Sequence, residues 1–184
     1  MFDGQSLGYT PFIAAQAYPA KFMALAHPGV RHVVTNLPGT TYAQRDPGIK
    51  GRTDYLFDRA AQSVLIDDGG SYDIEDGFGN MTAAQILTTK SNYTAARRAA
   101  GADKIVGITI PPANILTGDE ETIRQTVNVA LLLNPATYGY DQIVDVGGVP
   151  ALQNTADPAV YYDGVHWTNA ATTIVAQTLA DAGV

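Results

Sequence analysis

Apolar and polar positions along this chain alternate between two rhythms. Short runs rich in Val, Ile and Leu at residues 30–36, 63–67, 104–110 and 142–146 have the length and composition of buried strands. Longer stretches separate them, and several carry helix-end signals. Thr82-Ala83-Ala84-Gln85 has capping-box spacing, so a helix is expected to open there, run to Ala100 and stop at Gly101. Thr117 and Glu120 repeat that spacing ahead of a helix reaching Leu133. Pro111-Pro112 ends the strand before it, because neither residue can donate to a sheet ladder. An apolar helical stretch over 11–27 closes at Pro28-Gly29, and a short helix is expected over 52–61. Thr168 or Asn169 caps a last helix to Asp181.

With a short first strand at residues 1–3, five strands alternate with five helices. That order predicts a parallel sheet with helices on both faces, folded as a single domain over residues 1–184. In such sheets the chemistry lies at the carboxyl ends of the strands. Ser6 and the segments 36–42, 67–73, 111–117 and 147–166 all follow strands, so one edge should collect them. The irregular stretches 37–51 and 147–162 are long for connections and are expected to rim a pocket.

Composition narrows the function classes. A net charge of −7 argues against a nucleic-acid partner, since no basic patch is there to displace counterions. No apolar run approaches the roughly 20 residues needed to span a bilayer, so no membrane partner is expected. The absence of cysteine removes disulfides, thiolate catalysis and cysteine-zinc sites, but does not fix a compartment. Met1 is followed at once by the Asp3-Gly4-Gln5-Ser6 run, with no leader segment. A strand that delivers Ser6 would ordinarily be longer, so the chain is expected to be a domain of a longer polypeptide.

Candidate chemistry sits near both ends. Ser6 lies in Asp3-Gly4-Gln5-Ser6-Leu7-Gly8, and Asp163-Gly164-Val165-His166 precedes the last helix. A nucleophile, a base and an acid that orients the base are what hydrolytic acyl transfer requires. Taken alone, Ser6 also reads as a turn or cap residue. Its Gly-x-Ser-x-Gly frame matches the nucleophile elbow of α/β-hydrolases, but that fold needs an oxyanion loop upstream, where this chain has almost nothing. Of three histidines, His27 sits at a helix end and His32 early in a strand, so both read as structural, leaving His166 as the base. Asp163 and His166 alone are too few for a metal site, and no metal is expected. Gly39 in Asn36-Leu37-Pro38-Gly39-Thr40-Thr41 and the Gly69-Gly70-Ser71-Tyr72-Asp73 run read either as turns or as places where backbone N–H approaches a ligand. Asp67 and Asp68 at a strand end also suggest the phospho-acceptor site of a receiver domain. The last strand, ending Val144-Asp145-Val146, lacks the lysine that site requires.

In this order the segments resemble the SGNH (GDSL-type) hydrolase family, over nearly the whole chain. Asp3-Gly4-Gln5-Ser6-Leu7 is similar to the first block, which carries the nucleophile. Its Gly-Gln-Ser form resembles carbohydrate acetylesterase branches. The segment 36–41 resembles the second block, whose glycine, here Gly39, donates to the oxyanion. Gly70-Ser71-Tyr72-Asp73 resembles the third block, and Asp163-Gly164-Val165-His166 the last. The resemblance implies a flavodoxin-like three-layer α/β/α sandwich with a five-stranded parallel sheet. It also implies a serine esterase with the triad Ser6, His166 and Asp163 and no cofactor. One departure stands out: the family's third-block asparagine donates to the oxyanion, and Tyr72 occupies that position here. The oxyanion hole is then Ser6, Gly39 and Tyr72, with the phenol as a longer-reaching donor.

The substrate implied is an acyl ester, with acetyl on a carbohydrate favoured and the acyl and alcohol groups left open. Tyr42, Ser71, Tyr161, Tyr162 and Trp167 lie on or beside the site loops and are expected to bind it, aromatic faces suiting sugar rings. The same aromatics could instead pack the loops onto the domain. Two rival readings stay open: a catalytically weak or inactive glycan-binding module of the same fold, and a flavodoxin-like cofactor binder.

Overall fold

The structure, a computed structural model, describes residues 2–4, 18–28, 41–43, 54, 57 and 62–184. Among these residues four strands form one sheet: β1 (Phe2–Gly4), β2 (Val64–Asp68), β3 (Lys104–Ile108) and β4 (Gln142–Val144). They are all parallel and lie in the order β1-β2-β3-β4, with Gly4 beside Asp68, Asp67 beside Gly107 and Ile108 beside Val144. The helices are α1 (Tyr18–Ala26), the single turn α2 (Ser71–Ile74), α3 (Ala83–Ala100), α4 (Gly118–Leu133) and α5 (Asn169–Asp181). The strand expected over 30–36, which would complete a five-stranded sheet, and the helix expected over 52–61 fall outside the described residues, Asp54 and Phe57 apart.

Side-chain alternation along the strands separates two cores. Leu65 and Ile105 point to one face and pack with Ile86 and Tyr93 of α3 and Val127 and Leu131 of α4, joined there by Ile110 from beyond the end of β3. Ile66, Val106, Ile108 and Val144 point to the other and pack with Tyr18 and Phe22 of α1 and Val175 and Leu179 of α5. The chain is thus an α/β/α sandwich, as the strand–helix alternation requires. The same rhythm sends the two neighbouring acids apart. Asp67 meets Tyr42 and Tyr140 on the α3 side, while Asp68 accepts from the Tyr18 hydroxyl at 2.5 Å on the α1 side.

The end signals act as the sequence predicts. Both capping boxes form, Thr82 with Gln85 and Thr117 with Glu120, and Gly101 closes α3 at a φ of 122°. Thr168, not Asn169, caps α5 through its hydroxyl. β3 and β4 are shorter than expected, ending at Ile108 and Val144. Past these ends the Thr109 N–H still donates to the Val144 carbonyl at 3.0 Å, and side chains hold the rest: Asn128 and Arg124 of α4 take both backbone groups of Ile110, and the Thr109 hydroxyl bonds Asp145 and Gly147.

Candidate active site

Parallel pairing puts the ends of β2, β3 and β4 on one edge, and the segments that leave it converge. The third segment carries Asp163 and His166. Asp163 accepts from the backbone N–H of Val165 at 3.0 Å and of His166 at 2.8 Å through Oδ1, while Oδ2 contacts His166 Nδ1 at 2.8 Å. Burial raises the Asp163 pKa, but these bonds outweigh it and hold the carboxyl below its ordinary range. A carboxylate on Nδ1 fixes the imidazole tautomer and leaves the role of base to Nε2. The pair is open to a ligand, with His166 35% and Asp163 47% exposed.

Three features build this turn. Tyr161 and Trp167 bridge as a two-residue antiparallel pair, closed by the Tyr162 N–H to the His166 carbonyl at 2.9 Å. Gly164 has a φ of 83°, where an L side chain is strained, and a Cβ there would collide with the Asn114 amide. Asn114, in the segment after β3, donates from its backbone to the Gly164 carbonyl at 2.9 Å and from its side chain to the Asp163 carbonyl at 3.2 Å. Sequence reasoning passes over Asn114. Its position just after Pro111-Pro112, at a strand's carboxyl end, is the signal that marks it.

The segment after β2 bends at Gly70, whose φ of 128° and tight contact with Ile110 admit no side chain. It then turns through α2. Tyr72 is half-buried against Phe78, ring centroids 4.9 Å apart and edge-on. Burial first, then the charges of Glu75 and Asp163, raise the Tyr72 pKa, so the phenol keeps its proton and stays a donor. The charge of Asp163 therefore reaches the Tyr72 phenol from the segment after β4. Tyr162, beside Asp163 in the chain, is 50% exposed.

Four of the expected substrate contacts are buried. Tyr42, Tyr161 and Trp167 are 0%, 2% and 4% exposed and Ser71 is 7% exposed, so they offer a ligand almost no surface. Tyr161 spans the Leu152 and Pro112 carbonyls beneath the site, Trp167 stands edge-on to Tyr18, and Ser71 opens α2. Phe78, 54% exposed and absent from the sequence expectations, takes a place among the accessible aromatics. The receiver alternative fails on the same ground, because Asp67 is wholly buried. Ser6 and Gly39 lie outside the described residues. β1 ends two residues before Ser6, with Gly4 paired to Asp68, and α1 begins with Tyr18 against Asp68 and Trp167. Among the described residues, no group of three or more His, Asp or Glu could hold a metal ion, and no helix is long and apolar enough to cross a membrane.

No protein-family model matches the sequence, and no curated protein matches it significantly. Solved structures do match in three dimensions. An acetylxylan esterase from Geobacillus stearothermophilus superposes with a TM-score of 0.72 at 16% identity, over 98% of this chain and 91% of that one. A member of the lipolytic G-D-S-L family from Veillonella parvula gives 0.76 at 12% identity, over 98% and 94%. A lipase/acylhydrolase from Enterococcus faecalis gives 0.69 at 13% identity, over 98% and 91%. Similarity of this extent at such low identity is similarity of fold, and the fold of this chain is that of the SGNH, or GDSL-type, hydrolases.

Proposed function

We propose that the chain is a serine esterase of the SGNH type. The observation that carries this reading is the Asp163–His166 pair, partly exposed and rigidly turned, at the carboxyl edge of a sheet whose structural neighbours are esterases and acylhydrolases. Ser6 attacks the ester carbonyl. His166 takes the serine proton on Nε2 and returns it to the leaving alcohol. Asp163 keeps the imidazole oriented and stabilises the imidazolium. The backbone N–H groups of Ser6 and Gly39 and the Tyr72 hydroxyl donate to the oxyanion, and water releases the acyl group. Protein groups suffice for each of these steps.

An acetyl ester on a glycan is the substrate we favour. The acetylxylan esterase among the structural neighbours supports it, as do the exposed rings of Tyr162 and Phe78, which offer faces a sugar can stack on. Ser6→Ala should abolish turnover of p-nitrophenyl acetate while far-UV circular dichroism stays unchanged. Retained turnover by the folded variant overturns the assignment. Acetate release from a panel of acetylated polysaccharides then identifies the alcohol.

A further inference from the structure

Beneath the carboxyl edge lies a buried polar cluster that the proposed reaction does not use. Asp67, Lys90 and Tyr42 are each 0% exposed and Tyr140 2%. The Tyr42 hydroxyl contacts both Asp67 oxygens, at 2.7 and 2.5 Å, and Tyr140 donates to Oδ2 at 2.5 Å. Lys90 reaches the Tyr42 hydroxyl at 2.7 Å, Asp67 Oδ2 at 3.4 Å and the Gly69 carbonyl at 2.9 Å. Burial, and next the Asp67 charge, hold the Tyr140 phenol well above its ordinary pKa, so it serves as a donor. A buried ion pair is a poor source of stability compared with apolar packing of the same volume. What this cluster does provide is fixed position.

Its outward bonds go to the site loops. Both backbone groups of Gly69 are taken, the carbonyl by Lys90 and the N–H by Asp67 Oδ1 at 3.2 Å, immediately ahead of Gly70-Ser71-Tyr72. Tyr42 is the joint between two loops. Its hydroxyl belongs to the cluster, and its backbone N–H donates to Asp73 Oδ1 at 3.0 Å, on the far side of Tyr72. Tyr42 also stands three residues after Gly39 in the chain. The geometry points to a positioning device: Lys90, Asp67, Tyr42 and Tyr140 grip the segment after β2 on both sides of Tyr72, at Gly69 and at Asp73, and so set the Tyr72 donor of the proposed oxyanion hole. This rests on the esterase reading for its catalytic consequence.

The test uses Tyr42→Phe, which keeps the ring against Tyr93, together with Lys90→Met, which keeps the stem. Each should lower kcat for p-nitrophenyl acetate roughly tenfold to a hundredfold, the scale of a small misplacement of reacting groups, with KM within about twofold. The acid limb of the pH–rate profile should not move. Combining Tyr42→Phe with Tyr72→Phe should cost less than the product of the two separate losses, because both act through one donor. Folded Tyr42→Phe with wild-type kcat, or losses that multiply, overturns the proposal, and this variant decides the matter if Lys90→Met does not fold. Hydrogen exchange separates the clamp from the chemistry. If the wild type cleaves no ester, the reaction reading fails, yet faster exchange at amides 69–73 in Tyr42→Phe, with 114–117 unchanged, still supports the clamp. Exchange that is unchanged in 69–73, or accelerated everywhere, overturns it.

Discussion

Asp163 shows how a proposed catalytic residue also serves folding. Its carboxylate holds two backbone N–H groups and the imidazole, and its pKa is lowered in the folded chain. A depressed carboxyl pKa stabilises the fold above the unfolded value, near 3.9, and that contribution is lost as pH falls through the lower folded value. Asp163→Asn keeps an oxygen for the two N–H groups but loses the charge. Its urea midpoint should therefore lie below the wild type's at pH 7, with the gap narrowing below about pH 4 and closing as pH falls through the lower folded value. A gap that is constant over that range means the charge contributes nothing. The half-exposed position of the pair keeps the effect small. Asp163 and His166 were legible in the sequence because acid, glycine and base are neighbours there. Asn114, which pins their turn, lies 49 positions away from Asp163 and only the fold brings it close. That the rings of Tyr42, Tyr161 and Trp167 are buried was hidden for a related reason. Position on a site loop is visible in a sequence, whereas the direction of a ring, into the core or out to solvent, depends on packing.

At the scale of elements, the two capping boxes look alike in sequence and differ in worth. The Thr82–Gln85 box is exposed and uncharged, so losing it should cost no more than an ordinary cap, about 1 kcal/mol. The Thr117–Glu120 box does more. Glu120 is 8% exposed, accepts the Thr117 N–H at 2.6 Å, and accepts the Asp76 N–H at 2.7 Å from the turn that follows α2. Its pKa is lowered, chiefly by the Thr117 backbone bond. Two charge-assisted bonds to a buried carboxylate outweigh one hydroxyl cap. Glu120→Ala should then cost about 2 kcal/mol or more, against about 1 kcal/mol for Thr117→Ala, in urea unfolding at pH 7. Equal costs would reduce Glu120 to a cap alone. Strands and helices were readable here because the apolar rhythm and the end signals agree. The buried face of α3 was readable only in part: Lys90 and Arg97 stand in register with Ile86 and Tyr93, at helical spacing, where charge is ordinarily taken to mean solvent. A cation in the apolar register is the sequence trace of the buried cluster.

At the scale of the molecule, the first helix and the last are partners. Lys21 of α1 reaches Asn169 Oδ1 at 2.5 Å and the Thr172 and Thr173 hydroxyls at 2.7 and 2.8 Å on α5, and His27 Nε2 contacts the Val184 carbonyl at 2.8 Å. Trp167, the single tryptophan, is buried edge-on to Tyr18 in the same seam, one residue beyond His166. The seam shares its apolar core with β2, β3 and β4 through Ile66, Val106 and Val144, so it should not open independently of the sheet. Tryptophan emission reports the seam and far-UV circular dichroism reports the whole chain. The two urea transitions should coincide. Lys21→Met retains the packed stem and removes the bonds, and it should lower both midpoints together through a loss of about 1 kcal/mol of stability. A tryptophan transition that comes first in the wild type would mean that α1 and α5 separate while the sheet persists. Under the proposed reaction His166 would then lose its fixed place before the fold is lost, and activity would fall with the tryptophan signal, ahead of the dichroism.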